Sequence, residues 1–227
     1  MADKNRLHWE TVTPLLKKVL DILMAEKIFA FFRLVGGTNL SLRYGHRLSV
    51  DIDLFTDAKY GSLDYRIFEK FLREHFPFYE CNDPTSIVGF GRGYYIGKSA
   101  DEYIKLDLMY TDPFLEEAET IDGIRLASVK DIIAMKMNVV SRGGRKKDFW
   151  DLHLLLKEYS LAEMFAFHAR RHEWEHNAEE LLEKFTDFTE ADTLPDPVCL
   201  LGKDWDEIKL DLVDAADDYA KNRTSYH

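Results

Sequence analysis

The stretch from Val35 to Phe55 constrains this chain more than any other. An apolar run, Ile28 to Val35, predicts a buried strand. Gly36-Gly37 then breaks the run, Leu40, Leu42 and Tyr44 continue as a short helical pattern, and Gly45 makes a turn. A second strand follows as Ser49-Val50-Asp51-Ile52-Asp53-Leu54-Phe55. Alternate side chains of a strand share a face, so Asp51 and Asp53 point one way while Ile52 and Leu54 point into the core. Two carboxylates held close on a rigid element repel unless a cation lies between them, which makes the pair a candidate Mg2+ site. The glycine turn adds free backbone N–H groups at a helix N-terminus, where a phosphate binds well.

Composition narrows the class. The chain has 227 residues, 46% of them hydrophobic and 13% aromatic, enough to bury a real core in one large domain or one and a half. Cys81 and Cys199 lie far apart with no Cys-x-x-Cys, so neither a disulfide scaffold nor a cysteine zinc site is indicated. No signal-type segment follows the first residues and no apolar run reaches membrane length, so the expectation is a cytoplasmic protein with no membrane contact. Net charge is −11, unevenly placed: residues 160–227 carry 7 Lys and Arg against 17 Asp and Glu. That acidic end disfavours wide contact with nucleic acid. Its plain reading is a solvated helical surface, although it could face a basic partner.

Along the chain, Leu15, Leu16, Val19, Leu20, Ile22 and Leu23 predict an amphipathic helix within residues 9–25. A helix over 63–76 would turn Leu63, Ile67, Phe68, Phe71 and Leu72 inward. Short alternating runs then predict strands at Phe78–Cys81, Ser86–Phe90, Gly93–Ile96 and Tyr103–Tyr110, with one more short strand within 121–127. In Tyr103–Tyr110, Lys105 and Asp107 share the face opposite Ile104, Leu106 and Leu108. Ser128 caps a helix over 129–141 whose apolar stripe contains Lys136; such a lysine either snorkels to the surface or meets an anion. Arg142-Gly143-Gly144-Arg145-Lys146-Lys147-Asp148-Phe149-Trp150-Asp151-Leu152 enters the next helix. There Asp148 suits the helix dipole, and Asp151 can pair with Lys147. Further helices span 160–186 and 204–223, the last with Trp205, Ile208, Leu212 and Ala216 on one side.

The string Gly36-Gly37-Thr38-x-Leu40-x-Leu42, then His46-Arg47-x-Ser49-x-Asp51-Ile52-Asp53-Leu54-Phe55, resembles the AbiEii/AbiGii-type nucleotidyltransferases. These are polymerase-β-like enzymes and the toxin half of many type IV toxin–antitoxin pairs. Lys136, Arg142 and the Lys147-Asp148-x-x-Asp151-Leu152 run resemble that family's C-terminal motif. The resemblance implies an α+β fold: a polymerase-β-like core with a mixed twisted sheet over residues 1–127, then a helical C-terminal region, 128–227. It implies a Mg2+-dependent transfer of a nucleoside monophosphate from an NTP to a hydroxyl of RNA, often a tRNA end, or of a protein side chain, with pyrophosphate released. Asp51, Asp53 and Asp107 would hold two Mg2+ ions, and Asp148 would join them as a catalytic residue. Gly36, Gly37, Thr38, Arg47, Ser49, Lys136 and Arg142 would bind the nucleotide. A role in phage defence and a cognate antitoxin partner follow from the same resemblance.

Two alternatives stand beside it. One is a nucleotide-binding or interaction module that has lost transfer activity, against which the complete Asp-x-Asp argues. The other is a zinc peptidase, because His172-Glu173-Trp174-Glu175-His176 matches His-Glu-x-x-His, a pattern that needs both histidines on one helical face. Arg170 and Arg171 precede it, no third ligand stands at a familiar spacing, and His168 continues the same face.

Overall fold

Residues 6–82 and 89–224 are described by the computed structural model, and the strand expected at Ser86–Phe90 falls mostly outside them. The chain forms two compact units, Met1–Gly45 with Ser49–Ala127, and His46–Leu48 with Ser128–His227. Each has its own logic.

In the first unit, α1 (Pro14–Ala25) starts later than the apolar spacing alone suggests. Thr13 caps it, its hydroxyl accepting from Leu16 N–H at 3.1 Å, and Pro14 takes the first helical position, where a missing N–H costs nothing. The expected strand at Ile28–Val35 shortens to β1 (Arg33–Leu34). Phe29 and Phe32 both reach the core from a turn, Phe32 N–H bonding Phe29 C=O at 3.0 Å, and their rings pack on Phe68. Two rings three residues apart cannot share a face of a strand, so the turn wins.

The chain continues through α2 (Gly36–Tyr44), β2 (Asp51–Thr56), α3 (Tyr65–His75), β3 (Phe78–Cys81), β4 (Gly91–Ser99) and β5 (Glu102–Tyr110). Two short strands close the unit, β6 (Glu119–Ile121) and β7 (Ile124–Leu126). The strands make one mixed sheet in the order β3-β4-β5-β2-β1-β7-β6, with β2–β5 and β1–β7 parallel and the other neighbours antiparallel. Two expectations are corrected. Ile67 is exposed, because the inward stripe of α3 is Tyr65, Phe68 and Leu72, and the Tyr65 hydroxyl donates to Leu108 C=O at 3.1 Å. Residues 119–126 form a hairpin rather than one strand, turning at Asp122-Gly123 with φ of 51° and 80°, the backbone that an Asp-Gly pair favours.

The second unit is helical: α4 (Val129–Val140), α5 (Lys146–Leu155), α6 (Leu161–Arg171), α7 (Ala178–Phe185) and α8 (Trp205–Thr224). Ser128, Ser160 and Asn177 cap three of them with side-chain oxygens. Trp205, Ile208, Leu212 and Ala216 are buried along α8, as their spacing predicts, and Trp205 stacks on Trp150 with ring planes 9° apart. His46–Leu48 joins this unit by pairing with 198–200: Leu48 N–H donates to Val198 C=O at 2.9 Å and Leu200 N–H to His46 C=O at 2.8 Å. Among the described residues no helix is long and apolar enough to cross a membrane.

Candidate active site

Strands β2 and β5 run parallel with Asp51 opposite Lys105 and Asp53 opposite Asp107. Paired residues of neighbouring strands share a face, so these four charged side chains project together, half-buried, while Ile52, Leu54, Leu106 and Leu108 fill the core behind them. Two glycines leave room for the carboxylates. Gly36 opens α2 with φ of 70°, and a Cβ there would overlap Asp53 Oδ2. Gly93 lies opposite Asp107 on β4, where a Cβ would come within 2.8 Å of Asp107 Oδ1 and of Asn82 Nδ2.

The start of α2 is fastened to β2 by Val35 N–H donating to Asp53 C=O at 2.9 Å. Thr38 is buried; its hydroxyl bonds the Asp51 carbonyl and lies 2.8 Å from Ser49 Oγ. Both hydroxyls that the resemblance assigns to the nucleotide therefore brace the carboxylate strand in this structure. Asn39, which sequence reasoning passed over, is fully buried and donates to Leu34 C=O at 2.8 Å and to Ala127 C=O at 3.0 Å, joining α2 to β1 and to the residue that follows β7.

Lys105 is the other residue the sequence left without a role. Its ammonium lies 2.5 Å from Asp107 Oδ2. Partial burial works against its charge, but the hydrogen bond and charge of Asp107, with Asp53 and Asp51 adding theirs, hold its pKa above the ordinary lysine value. Among the described residues no three His, Cys, Asp or Glu side chains stand at metal-ligand spacing. Carboxylate oxygens on adjoining rigid strands, with glycines beside them, are nonetheless the right kind of donor for a hard divalent cation.

The second unit holds its own charged centre. Asp151 is fully buried, taking Arg47 Nε at 2.7 Å, Arg47 Nη2 at 2.8 Å, His46 Nε2 at 2.8 Å and Lys136 Nζ at 2.8 Å. Lys136 also donates to Asp148 Oδ1 at 2.5 Å, and Asp148 Oδ2 accepts from the Arg145 backbone N–H at 3.1 Å, closing the start of α5. Burial penalises the Asp151 charge, but Lys136 and Arg47, with hydrogen bonds from Arg47 and His46, hold its carboxyl well below the usual range. Against the same penalty Lys136 holds Asp148 low, while Asp151 and Asp148 hold Lys136 high. Burial pushes the His46 imidazole down. Lys136 thus meets anions rather than snorkelling, and Asp151 pairs with Lys136 and Arg47. Of the basic connection, Arg142 is exposed and bonds Glu175 at 2.5 Å, while Lys146 is buried against Asp196, at 2.8 Å, and the Trp205 ring.

The His-Glu-x-x-His pattern is broken by the fold. Helix α6 ends at Arg171, His172 is its C-cap, and His176 precedes α7. The two histidines therefore share no helical face. His168 Nδ1 instead lies 2.8 Å from His176 Nδ1. A cavity of about 470 Å3 in this unit, bordered by His153, Tyr159, Asp211 and Tyr219, includes none of the residues singled out from the sequence.

A mixed sheet whose adjoining strands carry paired carboxylates behind a glycine-started helix is an α+β arrangement of nucleotidyltransferase type. The chain belongs to the AbiEii nucleotidyl transferase toxin family of type IV toxin–antitoxin systems, whose family pattern matches residues 18–224. An uncharacterized protein of Aquifex aeolicus is 32% identical over 149 residues, covering 63% of this chain and 66% of that protein, just under two thirds of its length. Among solved structures, JHP933 from Helicobacter pylori is similar at a TM-score of 0.57 and 19% identity, over 93% of this chain and 92% of that one. The nucleotidyltransferase toxin MenT4 of Mycobacterium tuberculosis is similar at 0.53 and 11%, over 88% and 83%. At such identities the likeness is one of fold.

Proposed function

We propose that this protein is a Mg2+-dependent nucleotidyltransferase that moves a nucleoside monophosphate from an NTP to a hydroxyl of RNA, such as a tRNA end, or of a protein side chain, and that it acts as a toxin countered by a cognate antitoxin. The observation that carries the reading is the array of Asp51, Asp53 and Asp107 at matched register on one sheet face. It adjoins a helix start fixed to Asp53 by the Val35 N–H bond.

In this reading the backbone N–H groups of Gly36 and Gly37 receive phosphate oxygens. Asp51, Asp53 and Asp107 would hold the Mg2+, which would supply charge neutralisation for the triphosphate and a lowered pKa for the acceptor hydroxyl. The acceptor oxygen forms a bond to the α-phosphorus, the bond from that phosphorus to the bridging oxygen breaks, and pyrophosphate leaves with that electron pair. Asp107, paired in register with Asp53, would take the acceptor's proton. Thr38 and Ser49 act by bracing Asp51. Within the helical unit, Lys136, Arg47 and Arg142 would be the cations for a nucleotide, with Asp148 as their catalytic carboxylate; Lys136 is held by Asp148 and Asp151, and Arg47 by Asp151.

The test is incubation with each α-phosphate-labelled NTP and total cellular RNA or protein. Label should move to one acceptor class from a preferred NTP, and Asp53→Asn should abolish it. Mg2+-dependent NTP binding with no labelled product from any NTP would favour the binding-module reading instead.

A further inference from the structure

We propose that Lys105 is the resident cation of the carboxylate face: its ammonium holds Asp107 in the metal-free protein and must give way when a divalent cation binds. The inference rests on the metal site proposed above and adds a competitor to it. Register places Lys105 directly opposite Asp51, one pleat from Asp107, on the same face as all three carboxylates. Its Nζ lies 2.5 Å from Asp107 Oδ2. Asp53 and Asp51 attract the same ammonium.

Three carboxylates on one rigid face carry a repulsion that the fold must offset when no metal is present. Lys105 is a cation in direct contact with one of them, Asp107. The consequence is a competition. A divalent ion that takes Asp107 as a ligand has to displace a hydrogen-bonded ammonium, so the lysine keeps bare metal affinity low. Once displaced, a four-carbon side chain on the strand beside Asp53 can carry its charge to the phosphates of a metal-bound nucleotide. Lys105 would then make productive metal binding depend on nucleotide.

The experiment is isothermal titration of the full chain with MnCl2 alone, and then with Mg2+–NTP, for the wild type, Lys105→Met, Lys105→Arg and Asp53→Asn, with melting curves of each in EDTA. Lys105→Met should bind bare Mn2+ on the order of tenfold tighter, yet bind Mg2+–NTP no tighter than wild type. It should melt below wild type in EDTA and recover with Mn2+, and Lys105→Arg should behave as wild type. If wild type binds Mn2+ and Lys105→Met binds it equally or more weakly, Lys105 is an ordinary surface ion pair and the inference falls. If Lys105→Met misfolds, Lys105→Gln makes the same comparison. If neither wild type nor the Lys105 variants bind Mn2+ or Mg2+–NTP, the metal-site reading fails, an outcome distinct from failure of the lysine's role.

Discussion

Gly36 and Asp53 leave no room between them: a Cβ at position 36 would overlap Asp53 Oδ2, and the backbone there has φ of 70°. Gly36→Ala therefore combines backbone strain with displacement of the carboxylate. The strain alone is worth on the order of 1–3 kcal/mol. Gly61 is a matched control, with φ of 76° and nothing within 4 Å of an added Cβ. Gly61→Ala should lower the melting temperature by strain only and keep Mg2+–NTP stabilisation. Gly36→Ala should lower it comparably or more, and lose that stabilisation. Equal behaviour of the two variants toward Mg2+–NTP would separate Gly36 from the site.

Asp51 and Asp53 face the same way as Asp107, which pairs with Lys105. Removing one negative charge should leave the metal-free protein as stable as before or slightly more so. At Mg2+–NTP a hundredfold above Kd, wild type should gain about 2.7 kcal/mol by mass action, and Asp51→Asn and Asp53→Asn should lose most of it. Asp107→Asn differs in one respect, because it also forfeits the Lys105 pair. That pair is half-exposed, so its loss should cost no more than about 1 kcal/mol in the metal-free state. An Asp53→Asn protein that fails to fold without metal would make the pair structural.

Asp151 is the opposite kind of carboxylate, fully buried with Arg47, Lys136 and His46 around it. Asp151→Ala leaves two buried cations short of their anion, a change that typically costs about 3–5 kcal/mol. Denaturant unfolding followed at Trp150 and Trp205, both in the helical unit, should show that loss. A change under about 1 kcal/mol would mean that the network relaxes or hydrates, contrary to its burial.

How much of this a reader of the sequence can see depends on range. That Asp51 and Asp53 share a face follows from period two within six residues, and the buried stripe of α8 from period 3.6. The Asp122-Gly123 hairpin carries a local signal that strand-counting overlooks. The register that sets Lys105 against Asp51 does not show in either strand alone, because it is a pairing between segments more than fifty residues apart. Arg47 and Asp151, 104 residues apart, belong to the same category: the sequence offers Asp151 a nearby Lys147, and only the fold brings Arg47 and Lys136 to it. Ile28 to Phe32 misleads in another way, since an apolar run fits a strand and an aromatic-lined turn equally well.

The exposed part of the basic connection gives a test of acceptor binding. Arg145 is a surface cation whose guanidinium reaches Asp148 Oδ2 at 3.3 Å, a carboxylate that Lys136 and the Arg145 backbone N–H still hold when that side chain is removed, whereas Lys146 is buried against Asp196 and Trp205. If the acceptor is RNA, Arg145→Ala should weaken its binding and flatten the fall in affinity with salt by up to about one phosphate contact. NTP binding should drop less. Fluorescence anisotropy with labelled tRNA across a salt series reads this directly, and an unchanged salt slope would remove the loop from the acceptor site.

His168 sets an acid limit that the carboxylates do not. It is 1% exposed, with Nδ1 2.8 Å from His176 Nδ1 and the His172 ring centroid 5.1 Å away. Burial, then the neighbouring His172 and His176, lower its pKa from 6.5 to about 4; Glu175 opposes this and Arg142 adds to it. The unfolded chain therefore takes up this proton near pH 6.5 and the folded chain only near 4, so stability falls as pH drops through that window. Below about 4 the penalty from this group stays constant. Asp148 and Asp151 act later: their lowered pKa values stabilise the fold above the ordinary 3.8, and that contribution is lost only at lower pH. Melting curves from pH 7.5 to 4.5 should show wild type losing stability while both carboxylates remain ionised. His168→Asn keeps a hydrogen-bonding amide and cannot titrate, so it should begin less stable but lose less over the same range. A wild-type slope in His168→Asn would assign the acid sensitivity to another group, with His46, also lowered by burial, the next to substitute.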